Sequence, residues 1–245
     1  MTLAATRPAL SAALDPAGKT ADSEDQQLMS DLLHDLSQPL STLTCLLEVN
    51  LLLSRPLKQV RQDLKIALQH VHWIVRLFRG LRELVDAGNS WQDRERVALT
   101  VCLREVVADM PPTAGPRGVK LSVSCNSDCV VDFQASRLRQ ALVHLLEFAV
   151  GSAAAGAEVA IAVVEDDEAA RLTIAVSPTA IPPAEPASED RVAGTAESQE
   201  RRQREWSRRL GLAIARRIFE VAGGSLRSVN HDGRLSLEVR LTPVG

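Results

Sequence analysis

Tyrosine is absent from the 245 residues, and aromatics make up only 3% of the chain. That scarcity excludes the base-stacking platforms of single-strand nucleic-acid binders, and the core must be built from Leu, Val, Ile and Ala. Charge of one sign is lacking too. Lys and Arg number 28 against 31 Asp and Glu, a net charge of -3, so no global positive field draws the chain to nucleic acid. No apolar run reaches the roughly 18 to 20 residues of a membrane-spanning helix. The opening MTLAATRPALSAALDPAGKT lacks the basic start and continuous apolar stretch of a signal peptide. No membrane partner is expected, and the cytoplasm is the expected compartment. Four cysteines make no disulfide framework in such a chain. Cys125 and Cys129, spaced C-x3-C, have no second Cys/His pair at zinc-site spacing; they read as reduced thiols beside strands, and no metal site is expected.

What is present is an ordinary globular composition, 45% hydrophobic and 24% charged, enough for one large or two small domains. Residues 1–22 read as a disordered leader rich in Ala, Thr, Pro and Gly. From residue 23 an a/d seam runs through Met29, Leu33, Leu36, Leu40, Leu43, Leu47 and Asn50 in steps of four and three. Ser54-Arg55-Pro56 breaks it. A second seam follows through Leu57, Val60, Leu64, Ala67, Val71, Ile74, Leu77, Leu81 and Leu84, stopping near Asp86-Ala87-Gly88-Asn89. Residues 23–88 thus form an antiparallel helical hairpin, and its narrow apolar stripes predict a homodimeric four-helix bundle.

Residues 96–245 have another texture. Val97-Leu99-Val101 alternates as a strand, with Thr100 as cap of a helix over 101–109. Strands are expected at 119–123, 130–133, 159–164, 172–176, 225–229 and 235–241. One helix spans 136–150, with Leu138, Leu142, Leu145, Leu146 and Ala149 inward; another spans 205–222 and closes at Gly223-Gly224. Residues 111–116 and 177–200 are loops. The fold class is α+β: a helical hairpin followed by an α/β sandwich with helices on one face of a mixed sheet. The arginines from Arg201 to Arg217 are countered by acids and read as a solvated helix face. His70 and His72, two apart, cannot share a helix face and read as flank residues.

The chemistry sits in Leu33-His34-Asp35-Leu36-Ser37-Gln38-Pro39-Leu40. With the leucines inward, His34 and Gln38 lie one turn apart on the outer flank, and Gln38 leans back toward His34. Pro39 has no N–H for the Asp35 carbonyl, so a bend is expected beside the histidine. An exposed imidazole is a competent nucleophile for phosphorus, and a carboxylate orients its ring.

This stretch resembles the phosphoacceptor box of two-component histidine kinases, and the succession of hairpin and α+β domain resembles their phosphoacceptor and ATP-binding domains. The resemblance covers about residues 28–243. It implies that His34 is phosphorylated, that Asp35 assists as base, and that Gln38 can align water. The nucleotide motifs depart from the family pattern. Where its two asparagines fall, this chain has His144 and Phe148, and a phenyl ring offers no oxygen to Mg2+. Where the family has D-x-G-x-G, this chain has Val176, Pro178 and Ala180, so the adenine-accepting carboxylate is gone. Of the three glycines of the phosphate-cradling box only Gly211 survives, with Arg209 close before it. The resemblance, so altered, implies no bound cofactor: ATP is not bound, and Mg2+ is supplied by the partner. The expected activity is that of a histidine phosphotransferase or degenerate histidine kinase, exchanging a phosphoryl group between His34 and the aspartate of response-regulator receiver domains. An ATP-dependent autokinase and a non-catalytic scaffold are the rival readings.

Overall fold

The structure is a computed structural model that describes residues 16–89, 93–110, 118–125, 129–165, 169–179, 196–231 and 234–243. The expected loop at 111–116 and most of that at 177–200 lie outside the described residues. Helix α1 spans Pro16–Leu52 and α2 spans Leu57–Ala87. There follow β1 (Glu95–Ala98), α3 (Leu99–Asp109), β2 (Lys120–Cys125), β3 (Val130–Phe133), α4 (Ala135–Ser152), β4 (Ala153–Glu165), β5 (Ala170–Thr179), α5 (Ala196–Val221), β6 (Ser225–His231) and β7 (Arg234–Leu241). Two compact units divide inside α2, residues 1–77 and 78–245, rather than at residue 88. Helix α1 begins at Pro16, so it reaches back into the segment expected to be a disordered leader.

Within the first unit the turn between α1 and α2 is fixed by one carboxylate. Asp63 is buried and accepts hydrogen bonds from Asn50 Nδ2 (3.0 Å), Arg55 Nη1 (2.9 Å) and Gln59 Nε2 (3.2 Å). The Pro56 carbonyl takes the N–H groups of Gln59 and Val60, which starts α2 straight after the helix-breaking proline. An acid at a buried helical position is tolerated here because its lone pairs are met by three donors.

The second unit holds a five-stranded sheet in the order β2-β4-β5-β7-β6, with β2 and β4 parallel and the other pairs antiparallel. The small ribbon β1-β3 stands apart from it. Register places Val159, Val176 and Leu235 in one row, then Ile161, Ile174 and Leu237, then Val163, Leu172 and Val239. All nine side chains are buried, while their alternates Ala160 and Ala175 are exposed, so one face of the sheet carries the core. Leu138, Leu142, Leu145, Leu146 and Ala149 of α4 are fully buried, as the helical spacing predicts. Phe133 and Phe219 meet edge to face with centroids 6.1 Å apart.

Helix ends in this unit borrow guanidinium groups. Arg137 Nη2 reaches the Asp86 carbonyl at the end of α2 (3.3 Å), Arg94 Nη2 the Val221 carbonyl at the end of α5 (2.9 Å), and Arg208 the Gly151 carbonyl at the end of α4. Each supplies a cation and a donor where the last-turn carbonyls lack intrahelical partners. Helix α5 also closes through Gly223, at φ 86°, with Gly224 N–H on the Phe219 carbonyl (2.8 Å) and Gly223 N–H on that of Glu220 (2.9 Å).

Thr100 is not a cap. Helix α3 starts at Leu99, whose N–H goes to the Cys129 carbonyl (2.9 Å), and Ala98 at its N-cap makes no side-chain bond. The approach of the chain before β3 therefore satisfies the first N–H of the helix and starts α3 one residue before Thr100. Thr100 lies inside the first turn, fully buried, with its Oγ1 unpaired. A buried hydroxyl without a partner costs about 1–3 kcal/mol, so Thr100→Val, which keeps the shape, should raise the thermal midpoint. A midpoint lowered by the substitution would show that the hydroxyl is satisfied in solution.

Candidate functional site

His34 and Gln38 are both exposed on α1, one helical turn apart, with Asp35 half-buried and Pro39, the residue after Gln38, buried. Pro39 sits inside the helix, where it cannot donate to the Asp35 carbonyl. Hydroxyls crowd the same stretch: Ser37 Oγ donates to the Leu33 carbonyl (2.8 Å), Ser41 Oγ to Ser37 (2.9 Å), Thr42 Oγ1 to Gln38 (3.0 Å) and Thr44 Oγ1 to Leu40 (3.0 Å). Such back-bonding four residues up the helix favours bending, and four instances flank the proline. The imidazole thus stands exposed on a long continuous helix, one turn before an internal proline. The hydroxyls and the Gln38 amide make that stretch polar.

The seams divide in a way periodicity did not separate. On α1, Leu36, Leu43 and Asn50 are half-buried, whereas Leu33, Leu40 and Leu47, also seven apart, are exposed, Leu33 by 62%. On α2, Ala67 and Leu77 are buried and Val60 and Ile74 half-buried, whereas Leu57, Leu64 and Val71 are exposed, with Leu68 and Val75 beside them. One heptad position is covered within the chain and the other is bare on both helices. His70 also departs from expectation: it is 8% exposed, on the inner face with Asp63, Ala67 and Trp73 rather than on a flank.

In the second unit the residues at the altered nucleotide positions are dispersed. Val176 lies in the core row between Val159 and Leu235, facing the buried side of the sheet. Pro178 falls within β5, and Ala180 lies outside the described residues. Arg209 is exposed on α5. Phe148 is half-buried one turn beyond His144 on α4. Gly211 is buried within α5, where a Cβ would meet His144 Nδ1 at 3.1 Å. Because α5 is continuous through Gly211, the N–H groups that a phosphate-cradling loop would present are turned into the helical ladder. The structure therefore joins His144 to Gly211 and leaves Arg209 outside. Arg208, next to it, caps α4 through Gly151.

No protein-family model and no curated protein matches the chain. Solved structures do. The histidine kinase AdeS of Acinetobacter baumannii matches with a TM-score of 0.58 at 17% identity, covering 86% of this chain and 98% of that one. The histidine kinase ThkA, in complex with the response regulator protein TrrA, matches with a TM-score of 0.62 at 16% identity, covering 92% of this chain and 64% of that one. The chain has the histidine kinase fold.

Within that histidine kinase fold, two groups of side chains escaped the sequence. One is the Asn50–Arg55–Gln59–Asp63 cluster; Asn50 at a seam position and an acid thirteen residues later on the next helix were the faint signal. The other joins the end of α2 to α4, where Glu83 Oε1 accepts from Gln140 Nε2 (2.6 Å) and meets His144 Nε2 (2.9 Å). Nothing in the local sequence pairs Glu83 with residues so distant in the chain. Among the described residues no His/Cys/Asp/Glu group could hold a metal ion, and no helix is long and apolar enough to cross a membrane. Burial, and then the Glu165 carboxylate, pushes the Cys129 thiol up to about 11, so it stays protonated and inert near neutral pH.

Two buried groups of the hairpin make its stability acid-sensitive in separate windows. Burial holds the His70 imidazole below its ordinary 6.5, so the unfolded chain takes up the proton first and stability falls as pH drops from 6.5 toward the folded value. Hydrogen bonds, that from Asn50 foremost, hold the Asp63 carboxyl below 3.8 against the opposing effect of burial. Its contribution is present above 3.8 and is lost as pH falls through the folded value. His70→Gln should flatten the upper window of a melting series run from pH 7.5 to 3, and Asp63→Asn the lower. Unchanged slopes in both variants would discard this assignment.

Proposed function

We propose that the chain is a phosphorelay protein, a histidine phosphotransferase or degenerate histidine kinase in which His34 exchanges a phosphoryl group with the aspartate of a response-regulator receiver domain. The observation that carries this is the exposed His34, with Gln38 one turn on and Pro39 next after it, on the hairpin of a histidine kinase fold. The co-crystallised response regulator of ThkA supports a receiver as the partner.

In the transfer, the lone pair of a neutral ring nitrogen of His34 attacks phosphorus. The bond from phosphorus to the aspartyl oxygen breaks, and the receiver's carboxylate leaves with that electron pair. The proton on the other ring nitrogen is shed to a base, the role that the resemblance implies for Asp35. The receiver brings the divalent cation that offsets charge on the phosphoryl oxygens; this chain supplies position and access. The reverse step regenerates the imidazole and phosphorylates a second receiver. Gln38, exposed one turn away, is placed to orient a water against phosphohistidine.

A phosphoryl source other than ATP is supported by the second unit. Val176 is a core residue rather than an adenine acceptor, Gly211 is helical and packed on His144, and Phe148 has no oxygen for a cation. The bare heptad positions Leu33, Leu40 and Leu47 on α1, and Leu57, Leu64 and Val71 on α2, support pairing of two hairpins into a four-helix bundle.

Incubation with a labelled phospho-receiver should place label on the wild-type chain and none on His34→Ala, while γ-labelled Mg-ATP should label neither. Label arriving from ATP would make the chain an autokinase; label from neither donor would leave a scaffold. For the bundle, Leu64→Asp should convert a dimer of about 53 kDa, twice the chain mass of 26.5 kDa, to monomer in light scattering. A wild-type chain that is already monomeric would remove the dimer.

A further inference from the structure

The last turns of α2 belong to the second unit and are fastened there by side chains that the phosphoryl chemistry does not use. Glu83 is the centre. Its Oε1 takes the Gln140 amide at 2.6 Å and sits 2.9 Å from His144 Nε2. Gln140 Oε1 in turn accepts from Arg137 Nη1 (3.0 Å), and Arg137 Nη2 reaches the Asp86 carbonyl (3.3 Å), so donors and acceptors alternate along the facing sides of α2 and α4. Two glycines let α2 lie close: a Cβ on Gly80 would strike Leu210 Cδ2 at 2.2 Å and Trp206 at 3.2 Å, and one on Gly88 would meet Arg217 Nε at 3.0 Å. All three neighbours, Trp206, Leu210 and Arg217, are on α5. The end of α2 therefore lies against both α4 and α5, and on α4 it meets His144, the residue that in turn packs on Gly211.

We propose that residues 78–87 of α2 act as a built-in strap, an intramolecular occupant that closes the face between α4 and α5, with the Glu83 carboxylate as its catch on His144 and Gln140. The composition of the contact suits a releasable strap. Its buried apolar side chain is a single alanine, Ala87; Leu81 and Leu84 are only half-buried, and Phe78 and Val85 remain exposed. Its attachment to α4 is polar, and Glu83 itself is 39% exposed, so water can compete for the catch. An apolar seam of the same length would fix α2 permanently. The strap also accounts for the residues it touches. An imidazole at 144 reaches the Glu83 carboxylate, and the glycine at 211 leaves the ring room: its Nδ1 is 3.1 Å from where a Cβ would sit.

This inference stands apart from the phosphoryl-transfer reading, since it concerns residues remote in sequence from His34 and is tested without a receiver. The full chain is treated with diethyl pyrocarbonate and each histidine's carbethoxylation rate is followed by mass spectrometry, with exposed His34 as internal reference. His144, whose side chain is 17% exposed, should react slowly in the wild type. Glu83→Ala should speed it about tenfold or more, because a charge-assisted pair and a second hydrogen bond are lost together. Hydrogen exchange of residues 78–87 should rise in parallel, with β4, β5 and β7 unchanged. Glu83→Gln, which keeps an acceptor oxygen, should restore most of the protection, a rescue that general destabilisation would not give. Gln140→Ala removes one donor and should act in the same direction but less; it carries the test if Glu83→Ala loosens the whole domain. Unaltered His144 reactivity in both Glu83→Ala and Gln140→Ala would overturn the strap.

Discussion

A helix in a two-helix hairpin can turn only one side toward its neighbour, and this constraint governs the hairpin. Both α1 and α2 carry apolar residues at two heptad positions, yet only one set is covered within the chain. Leu36 and Leu43 lie on the half-buried side of α1, while Leu33 and Leu40 are bare. An apolar residue left in water forgoes roughly 1.5–3 kcal/mol of transfer free energy, so a second helical surface over the bare rows is a large stabilising opportunity. The inner side, by contrast, admits polar groups where they are answered: Asp63 with three donors at the turn, and His70 held in its neutral form. His34 belongs to neither set and is exposed on α1.

The second unit is held together by packing that polar groups reinforce at a few places. The sheet rows and the α4 stripe are continuous hydrophobic packing, and several residues beside them have a clear structural task. Val176 fills a core row, Gly211 accommodates His144, Arg208 caps α4, and His144 meets Glu83. Such positions require only that volume and hydrogen bonding be satisfied locally. The likeness to AdeS and ThkA at 17% and 16% identity is a likeness of fold, which packing of this kind can keep through many changes of sequence.

The stretch around His34 was legible because its signals are local: a proline inside a heptad pattern, with a histidine and a glutamine one turn apart. The two helices, the α4 stripe and most strands were legible for the same reason, since periodicities of 3.5, 3.6 and 2 need only neighbouring residues. Thr100 misled because a cap and a first-turn residue have the same local sequence; the competing donor–acceptor pair, Leu99 N–H to the Cys129 carbonyl, joins residues 30 apart. Helix α5 began earlier than expected for a comparable reason: its polar first turns, rich in Glu, Gln and Arg, carry helix propensity but no apolar period to announce them.

By itself, then, the sequence determined where helices and strands form and that one imidazole stands beside a helical proline, because those depend on contacts a few residues away. Tertiary structure alone decided which half of each apolar seam is covered, that His70 turns inward, and that Glu83 closes on His144 and Gln140. Those outcomes rest on which surfaces meet between separate elements, across more than fifty residues of chain in the case of Glu83, and a helix's periodicity names its faces without naming their partners.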